Sequence, residues 1–175
     1  PQGVVAVCQQ LDVSLEDVFA AEPKLIALLA NIRDPGNAGT VLRAADAAGA
    51  DAVIFSKNSV DVYNPKVVRS TTGSLFHLPI VVDVEIADVI SAAKRNGHQV
   101  FAANGGGVEI PALGAATLSE ATTWVFGNEA WGFEQSTLDL VDCQVAVPIY
   151  GAAESLNLAT AASVCLFSSA FAQNA

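Results

Sequence analysis

The sequence predicts an α/β fold: a mostly parallel sheet with helices on both faces. Short β-rich runs alternate with helical patterns, several of these runs are apolar at consecutive positions, and loops rich in glycine follow them. Consecutive apolar positions are typical of strands covered on both faces, and strand–helix alternation is typical of parallel sheets. We expect strands at residues 25–30, 52–55, 80–82, 99–102, 123–126 and 144–147.

Helical patterns lie between these strands and after the last one. Asn37 and Ser155 are suitable N-cap residues for two of the helices, and Gly49 is a suitable C′ residue. Pro65 stands at a position that favours the first turn of a helix. We expect helices at residues 38–48, 65–75, 87–96, 135–141 and 155–172.

Composition and charge limit the classes of partner. The chain of 175 residues is 52% hydrophobic and 15% charged, which excludes a disordered chain. Its net charge is −10, and all eight Lys and Arg residues precede residue 96. Nucleic-acid binding normally requires a basic surface. The net charge alone therefore argues against a polyanionic partner, or limits contact with such a partner to the first half of the chain.

Cysteine and histidine usage predicts neither disulfides nor metal. The three cysteines are far apart without CxxC spacing, and the two histidines are isolated. No apolar run approaches the roughly 18 residues of a membrane helix. No basic segment followed by an apolar stretch begins the chain. We therefore expect a cytoplasmic protein without a membrane partner.

The beginning of the chain suggests a separate segment. The chain starts at Pro1, contains no methionine, and carries a short apolar run at residues 4–8 without a nearby hairpin partner. We expect residues 1–22 to be a lead-in segment, the remnant of a linker to a missing substrate-binding domain. Residues 23–175 then form the α/β domain.

Four polar or glycine-rich loops follow predicted strands, at residues 31–39, 104–107, 127–133 and 148–157. Ligands of open parallel sheets bind beyond the carboxyl ends of the strands, so these loops predict one pocket. Gly127 and Gly132 have Walker A spacing, but Phe133 replaces the phosphate-binding lysine. GxGxxG and GxSxG motifs are absent, which weakens ATPase, hydride-transfer and serine-hydrolase functions.

Three of these regions resemble the motifs of one enzyme family. Residues 37–49, with Asn37 and Arg43, resemble the first motif of the SpoU (TrmH-type) RNA 2′-O-ribose methyltransferases of the SPOUT superfamily. Residues 125–132 resemble the second motif with the sequence VFGNEAWG, and residues 147–161 resemble the third with VPIYGAAESLNLATA. The motifs follow in the family's order, and the resemblance extends from the start of the predicted sheet to the C-terminus.

The resemblance implies a C-terminal deep trefoil knot, which periodicity could not predict because knotted chains are so rare. It also implies S-adenosyl-L-methionine (AdoMet) as cofactor, a homodimer with a two-chain site, and methylation of ribose 2′-hydroxyls in RNA. The apolar C-terminal helix suits such a dimer interface, although core packing would explain it equally well.

Matching the motifs residue by residue gives the expected site. The resemblance places catalytic residues at Asn37, Arg43, Glu129, Ser155 and Asn157. It places cofactor contacts, mostly through the backbone, at Ala102, Asn104, Gly127, Val147, Ile149 and Leu156. It implies no metal, because the methyl group of a sulfonium is already activated and its leaving group is neutral.

Arginine chemistry determines the role expected of Arg43. A guanidinium group holds its proton too tightly to act as a general base, so we expect Arg43 to position the target nucleotide and to stabilise charge. We expect Glu129 to orient the motif loops or the arginine, Asn157 to hold loop backbone, and Ser155 to lie near the arginine or a substrate phosphate. A modest basic rim is expected from Arg33, Lys57, Lys66 and Arg69.

Other functions stay open. A catalytically silent module that binds AdoMet or a nucleotide and recognises RNA would keep the loops without needing Arg43. An enzyme that acts on a small nucleotide would agree better with the acidic net charge than an RNA methyltransferase does, but it would agree less well with the three motifs. Among RNA substrates we expect rRNA over tRNA, because no long basic extension follows the third motif.

Overall fold

The computed structural model describes Gly3 and residues 7–175, so most of the apolar run at residues 4–8 lies outside the described residues. The described chain contains a six-stranded, fully parallel sheet with the strand order β3-β2-β1-β5-β4-β6. The strands are β1 Leu25–Leu29, β2 Ala52–Ser56, β3 Ile80–Val84, β4 Gln99–Glu109, β5 Thr122–Phe126 and β6 Cys143–Ala146. All six predicted strands are confirmed, and β4 continues well beyond its predicted end.

Seven α-helices accompany the strands in the described chain: α1 Leu15–Ala20, α2 Pro35–Ala47, α3 Pro65–Thr71, α4 Ile86–Arg95, α5 Ile110–Leu118, α6 Gln135–Leu138 and α7 Leu158–Gln173. The helices α1 and α5 were not predicted. The first is a single short turn with too few residues for a periodic pattern, and the second is broken at Gly114, whose φ is 75°. The sequence prediction of helices on both faces is otherwise confirmed.

The sheet buries a core on each face. Leu25, Ala27 and Leu29 of β1 pack toward α2, α5 and α7, whereas Ile26 and Leu28 pack toward α1 and α4. All five β1 side chains are buried, which explains the consecutive apolar positions. Because both faces of the sheet are covered, the polar loops converge at its carboxyl edge.

The core under α7 buries the indole of Trp124 and the thiol of Cys165. The Trp124 indole N–H donates to the Ser169 hydroxyl at 2.9 Å, which ties β5 to α7. Burial raises the pKa of the Cys165 thiol to about 12, so this cysteine is a protonated, apolar core side chain. The hydrogen bond between Trp124 and Ser169 fixes the helix that follows the last site loop.

Two predicted helix caps are wrong. Asp34, not Asn37, caps α2 by accepting from the Asn37 N–H at 2.7 Å, because Pro35 and the next residues already form the first turn. Asn157, not Ser155, caps α7 by accepting from the Ala159 N–H at 2.9 Å. Each correction shifts the start of the helix and frees the polar side chain of Asn37 or Ser155 for another contact.

Two other helix-end predictions are confirmed. Gly49 follows α2 with a φ of 74°, the left-handed conformation expected of a C′ glycine. Asn64 caps α3 and Pro65 occupies its first turn. The deep knot depends on how the segment between β6 and α7 threads through the chain, and it stays a prediction.

Candidate functional site

A cavity of about 540 Å³ opens at the carboxyl edge of β4, β5 and β6. The start of α2, the extended end of β4 and the loops after β5 and β6 contribute to its lining, at the edge where open parallel sheets bind ligands. Nine of the eleven predicted site residues line it: Asn37, Asn104, Gly127, Glu129, Val147, Ile149, Ser155, Leu156 and Asn157.

A chain of side-chain hydrogen bonds joins the three motif regions at this cavity. The Asn157 amide donates to Asn37 Oδ1 at 3.0 Å, and the Asn37 amide donates to Glu129 Oε1 at 3.4 Å. Because Asn157 Oδ1 already caps α7, its amide group must point toward Asn37. The start of α7 is thus connected to the start of α2 and to the loop after β5.

The Glu129 carboxylate also holds the loop that precedes α2. Its two oxygens accept from the backbone N–H groups of Arg33 at 3.4 Å and Asp34 at 3.2 Å. Both oxygens are therefore engaged with neighbouring loop groups, an arrangement that suits orientation of the loop. The predicted alternative partner, Arg43, forms no hydrogen bond or ion pair with Glu129 in the described chain.

Asn128 is a structural residue of the site that the sequence analysis did not single out. Its side chain is buried, donates to the Asn31 carbonyl at 2.6 Å and accepts from the Ala130 N–H at 2.8 Å. Its backbone exchanges two 2.8 Å hydrogen bonds with Gly132, which closes a tight loop. Its position between Gly127 and Glu129 in the second motif is the sequence feature that could have identified it.

Close backbone approach explains the glycine at position 127. A Cβ atom there would lie 2.7 Å from the Gly132 carbonyl oxygen and 3.0 Å from the Phe133 ring. On the opposite wall, the Asn104 amide donates to Gln144 Oε1 at 2.8 Å, which holds the extended end of β4 against β6. Position 127 therefore presents only its backbone to the cavity.

Two predicted residues lie outside the cavity lining. Arg43 projects from α2 as an exposed side chain without a hydrogen-bond or ion-pair partner among the described residues. Ala102 is completely buried within β4, and the next residue, Ala103, lines the cavity instead. Ser155 lines the cavity but makes no side-chain hydrogen bond within the described chain.

The charged side chains that line the cavity are all acidic: Glu109, Glu129 and Glu154. Among the described residues that line it, none is Lys, Arg or His. Such a lining favours a cationic ligand over a phosphate group. Glu109 and Glu154 were missed by the sequence analysis, because only the structure brings the end of β4 beside the segment before α7.

Metal-binding clusters and membrane-spanning helices are both absent from Gly3 and residues 7–175. Within that part of the chain, no three His, Cys, Asp or Glu side chains form a group that could hold a metal ion. None of the helices described there is both long and apolar enough to cross a membrane.

Comparison with known proteins identifies the family. Residues 24–167 match the SpoU rRNA Methylase family. The chain is 37% identical over 171 residues to the 23S rRNA (guanosine(2553)-2′-O)-methyltransferase RlmP of Bacillus subtilis, covering 95% of this chain and 64% of that protein. It is 34% identical to the 23S rRNA (uridine(2479)-2′-O)-methyltransferase of Streptomyces viridochromogenes, covering 95% of this chain and 59% of that protein.

A solved structure agrees with these sequence relatives. The AdoMet-bound rRNA methyltransferase from Sinorhizobium meliloti superposes with a TM-score of 0.83 at 33% identity, covering 92% of this chain and 61% of that chain. This chain thus spans about three-fifths of the length of these relatives. The sequence, the α/β fold and the three motif regions agree: the chain belongs to the SpoU rRNA methylase family.

Proposed function

We propose that this chain is the catalytic domain of an enzyme that transfers a methyl group from AdoMet to a ribose 2′-hydroxyl of RNA, with rRNA as the substrate class. The observation that carries the proposal is the single cavity at which Asn37, Glu129 and Asn157 are linked by hydrogen bonds. The relatives that are named 23S rRNA 2′-O-methyltransferases support rRNA over tRNA.

The cavity suits AdoMet in size and charge. A volume of about 540 Å³ lies within the usual range for sites of small ligands and cofactors. AdoMet carries a sulfonium and an ammonium group against one carboxylate, and the acidic lining from Glu109, Glu129 and Glu154 favours this net positive charge. Gly127, Val147, Ile149 and Leu156 would hold the cofactor, mainly through backbone groups.

When bound, AdoMet supplies an activated methyl group whose sulfur leaves as a neutral thioether. The chain's contribution is then to hold the 2′-hydroxyl in line and to order the loops around it. Glu129 holds the loop before α2 through two backbone N–H groups, and Asn157 fixes Asn37 beside it. We assign the proton of the hydroxyl to solvent, because the guanidinium of Arg43 is a poor base.

The position of Arg43 leads us to include a second copy of the chain in the site. The side chain is exposed, outside the cavity of its own protomer and without a polar partner in the described chain. A homodimer in which Arg43 reaches the substrate bound at the partner's cavity would give it the positioning role that the motif implies. Phe171, which is 70% exposed on α7, offers apolar area for such an interface.

Recognition of the RNA is proposed to require more than this domain. The chain has eight Lys and Arg residues and a net charge of −10, whereas RNA-binding surfaces normally neutralise several phosphates. We propose that residues 1–22 lead to this domain from a substrate-binding domain, in keeping with the three-fifths coverage of the relatives.

The test is transfer of a labelled methyl group from AdoMet to 23S rRNA, with nuclease digestion to identify 2′-O-methylated nucleosides. The protein should be compared with Arg43→Ala and with a control, Arg95→Ala. Arg95 is an exposed arginine on α4 that donates to Ser91 at 2.6 Å. We expect Arg43→Ala to lower the rate by at least about a hundred-fold while AdoMet affinity stays unchanged.

The result that would refute the proposal is equally specific. A wild-type protein that binds AdoMet and 23S rRNA but produces no 2′-O-methyl nucleoside would indicate a silent binding module. Equal loss of activity in Arg43→Ala and Arg95→Ala would refute the assigned role of Arg43.

A further inference from the structure

An aromatic side chain and a cationic side chain stand together beside the cavity. The loop closed by the backbone pair of Asn128 and Gly132 carries Glu129, which lines the cavity, and Trp131 at its tip. The Arg33 guanidinium lies over the Trp131 ring, with its Cζ 5.2 Å from the ring centroid. The two residues come from the loops after β5 and β1.

The position of this pair is fixed by the same contacts that build the site. The Arg33 backbone N–H donates to Glu129, and the Asn128 side chain donates to the Asn31 carbonyl. These bonds hold the two loops together on either side of the Arg33–Trp131 contact. The pair is thus presented from the rim of the cavity by two connected loops.

The solvent exposure of the indole distinguishes it from a packing residue. Trp131 is 51% exposed, whereas Trp124, the other tryptophan, is completely buried. An arginine over one ring face leaves the opposite face available for a planar partner. Together, the exposed indole and the Arg33 guanidinium form a flat surface beside the cavity that a planar group can contact.

We propose that Trp131, backed by Arg33, is a stacking platform for an unpaired base of the RNA next to the methylated nucleotide. The inference rests on the proposed function and extends it to the form of the substrate. Unpaired bases stack on aromatic rings and arginine planes, and a base within a regular duplex has no free face to offer. The platform therefore selects single-stranded or loop RNA around the target ribose.

Charge supports an RNA partner at this position. The charged cavity lining is acidic, so a phosphate is not favoured inside it. Arg33 places a positive charge directly outside that lining, where the backbone of an RNA strand could approach a target at the cavity mouth. A base on Trp131 and a phosphate near Arg33 would use both groups at once.

Tryptophan fluorescence can test the platform directly. Since Trp124 is buried, quenching by acrylamide reports mainly on Trp131. We expect a single-stranded oligoribonucleotide of the 23S rRNA target region to protect Trp131 from acrylamide and to shift its emission. The same sequence in a perfect duplex should give neither effect at equal concentration. Equal protection by both forms, or by neither, would overturn the proposal.

Substitutions separate stacking from a structural role. Trp131→Ala should raise the KM for RNA about ten-fold or more with little change in kcat, whereas Trp131→Phe should retain most of the affinity. AdoMet affinity should be unchanged in both variants. Phe76→Ala is the matched control, because Phe76 is an exposed aromatic residue, 62% accessible, that does not line the cavity.

The two proposals fail in different ways. An unchanged KM in Trp131→Ala, in a protein that methylates RNA, would overturn the platform and leave the methyltransferase function intact. If the wild type transfers no methyl group but single-stranded RNA still protects Trp131, the proposed activity fails and the RNA contact stands. Loss of AdoMet binding in Trp131→Ala would show that the residue supports the cavity, which would also overturn the platform.

Discussion

Replacing Gly127 with alanine tests the backbone lining of the cavity. The Cβ atom would lie 2.7 Å from the Gly132 carbonyl oxygen and 2.9 Å from its carbonyl carbon, where ordinary contacts begin at 3.4 Å. Gly127 does not have a left-handed φ, so the effect of the methyl group is steric. The loop after β5 must move by about 0.7 Å to relieve the shorter contact.

The cost of that movement follows from the contacts of Gly132. Its carbonyl oxygen accepts from the Asn128 N–H at 2.8 Å, and its own N–H donates back at 2.8 Å. Weakening this pair and overpacking the loop would each cost on the order of 1–3 kcal/mol. If a cost of that size falls on the cofactor-binding conformation, AdoMet affinity falls about 5- to 150-fold.

Calorimetric titration with AdoMet measures this effect, and thermal unfolding of the same samples separates it from global destabilisation. The matched control is Gly106→Ala, because a Cβ at Gly106 meets nothing within 4 Å and the residue does not line the cavity. We expect that variant to bind AdoMet like the wild type. Wild-type affinity in folded Gly127→Ala would refute the steric argument and the placement of the cofactor against this loop.

Three further predictions follow from particular contacts. Asn157→Asp keeps the cap of α7 but cannot donate to Asn37, so methyl transfer should fall at least about ten-fold while the melting temperature stays near that of wild type. A clear drop in the melting temperature of this variant would contradict the prediction. Glu109→Gln and Glu154→Gln should weaken the binding of AdoMet more than that of S-adenosylhomocysteine, the product that lacks the sulfonium charge, and added salt should reduce that difference. Burial lowers the pKa of His98 in the folded chain from its ordinary value of 6.5. As the pH drops below about 6.5, His98 is therefore protonated more readily in the unfolded chain than in the folded one, and the free energy of unfolding falls. His98→Asn should flatten that slope in urea unfolding, and an unchanged slope would exclude His98 as its source.

The sequence predicted the sheet because burial on both faces leaves a direct pattern. Every residue of β1 and β2 is buried; β1 appears in the sequence as an uninterrupted apolar run, and β2 as an apolar run that ends at Ser56. The helix α5 leaves no such pattern, since it is apolar without clear periodicity and is interrupted at Gly114. Its existence depends on the tertiary packing of Ile110 and Leu118.

The site was predictable only where a motif carried it. Asn37, Glu129 and Asn157 are far apart in the chain, and the motif resemblance was needed to associate them before the structure placed them in hydrogen-bond contact. No role was predicted for the carboxylates of Glu109 and Glu154. The register of β4 against β6 places Glu109 at the cavity, and the segment between β6 and α7 places Glu154 there. Spacing along the chain does not encode such proximity.

The central claim is that the cavity at the carboxyl ends of β4, β5 and β6 binds AdoMet. Amide chemical-shift mapping of the labelled protein tests it most directly. We predict saturable shifts on titration with AdoMet at Gly127, Val147 and Leu156. The smaller cavity of about 260 Å³ beside Asn31 and Lys57 serves as the internal reference and should stay unperturbed. Shifts confined to that second cavity, or none in a folded protein, would contradict the account.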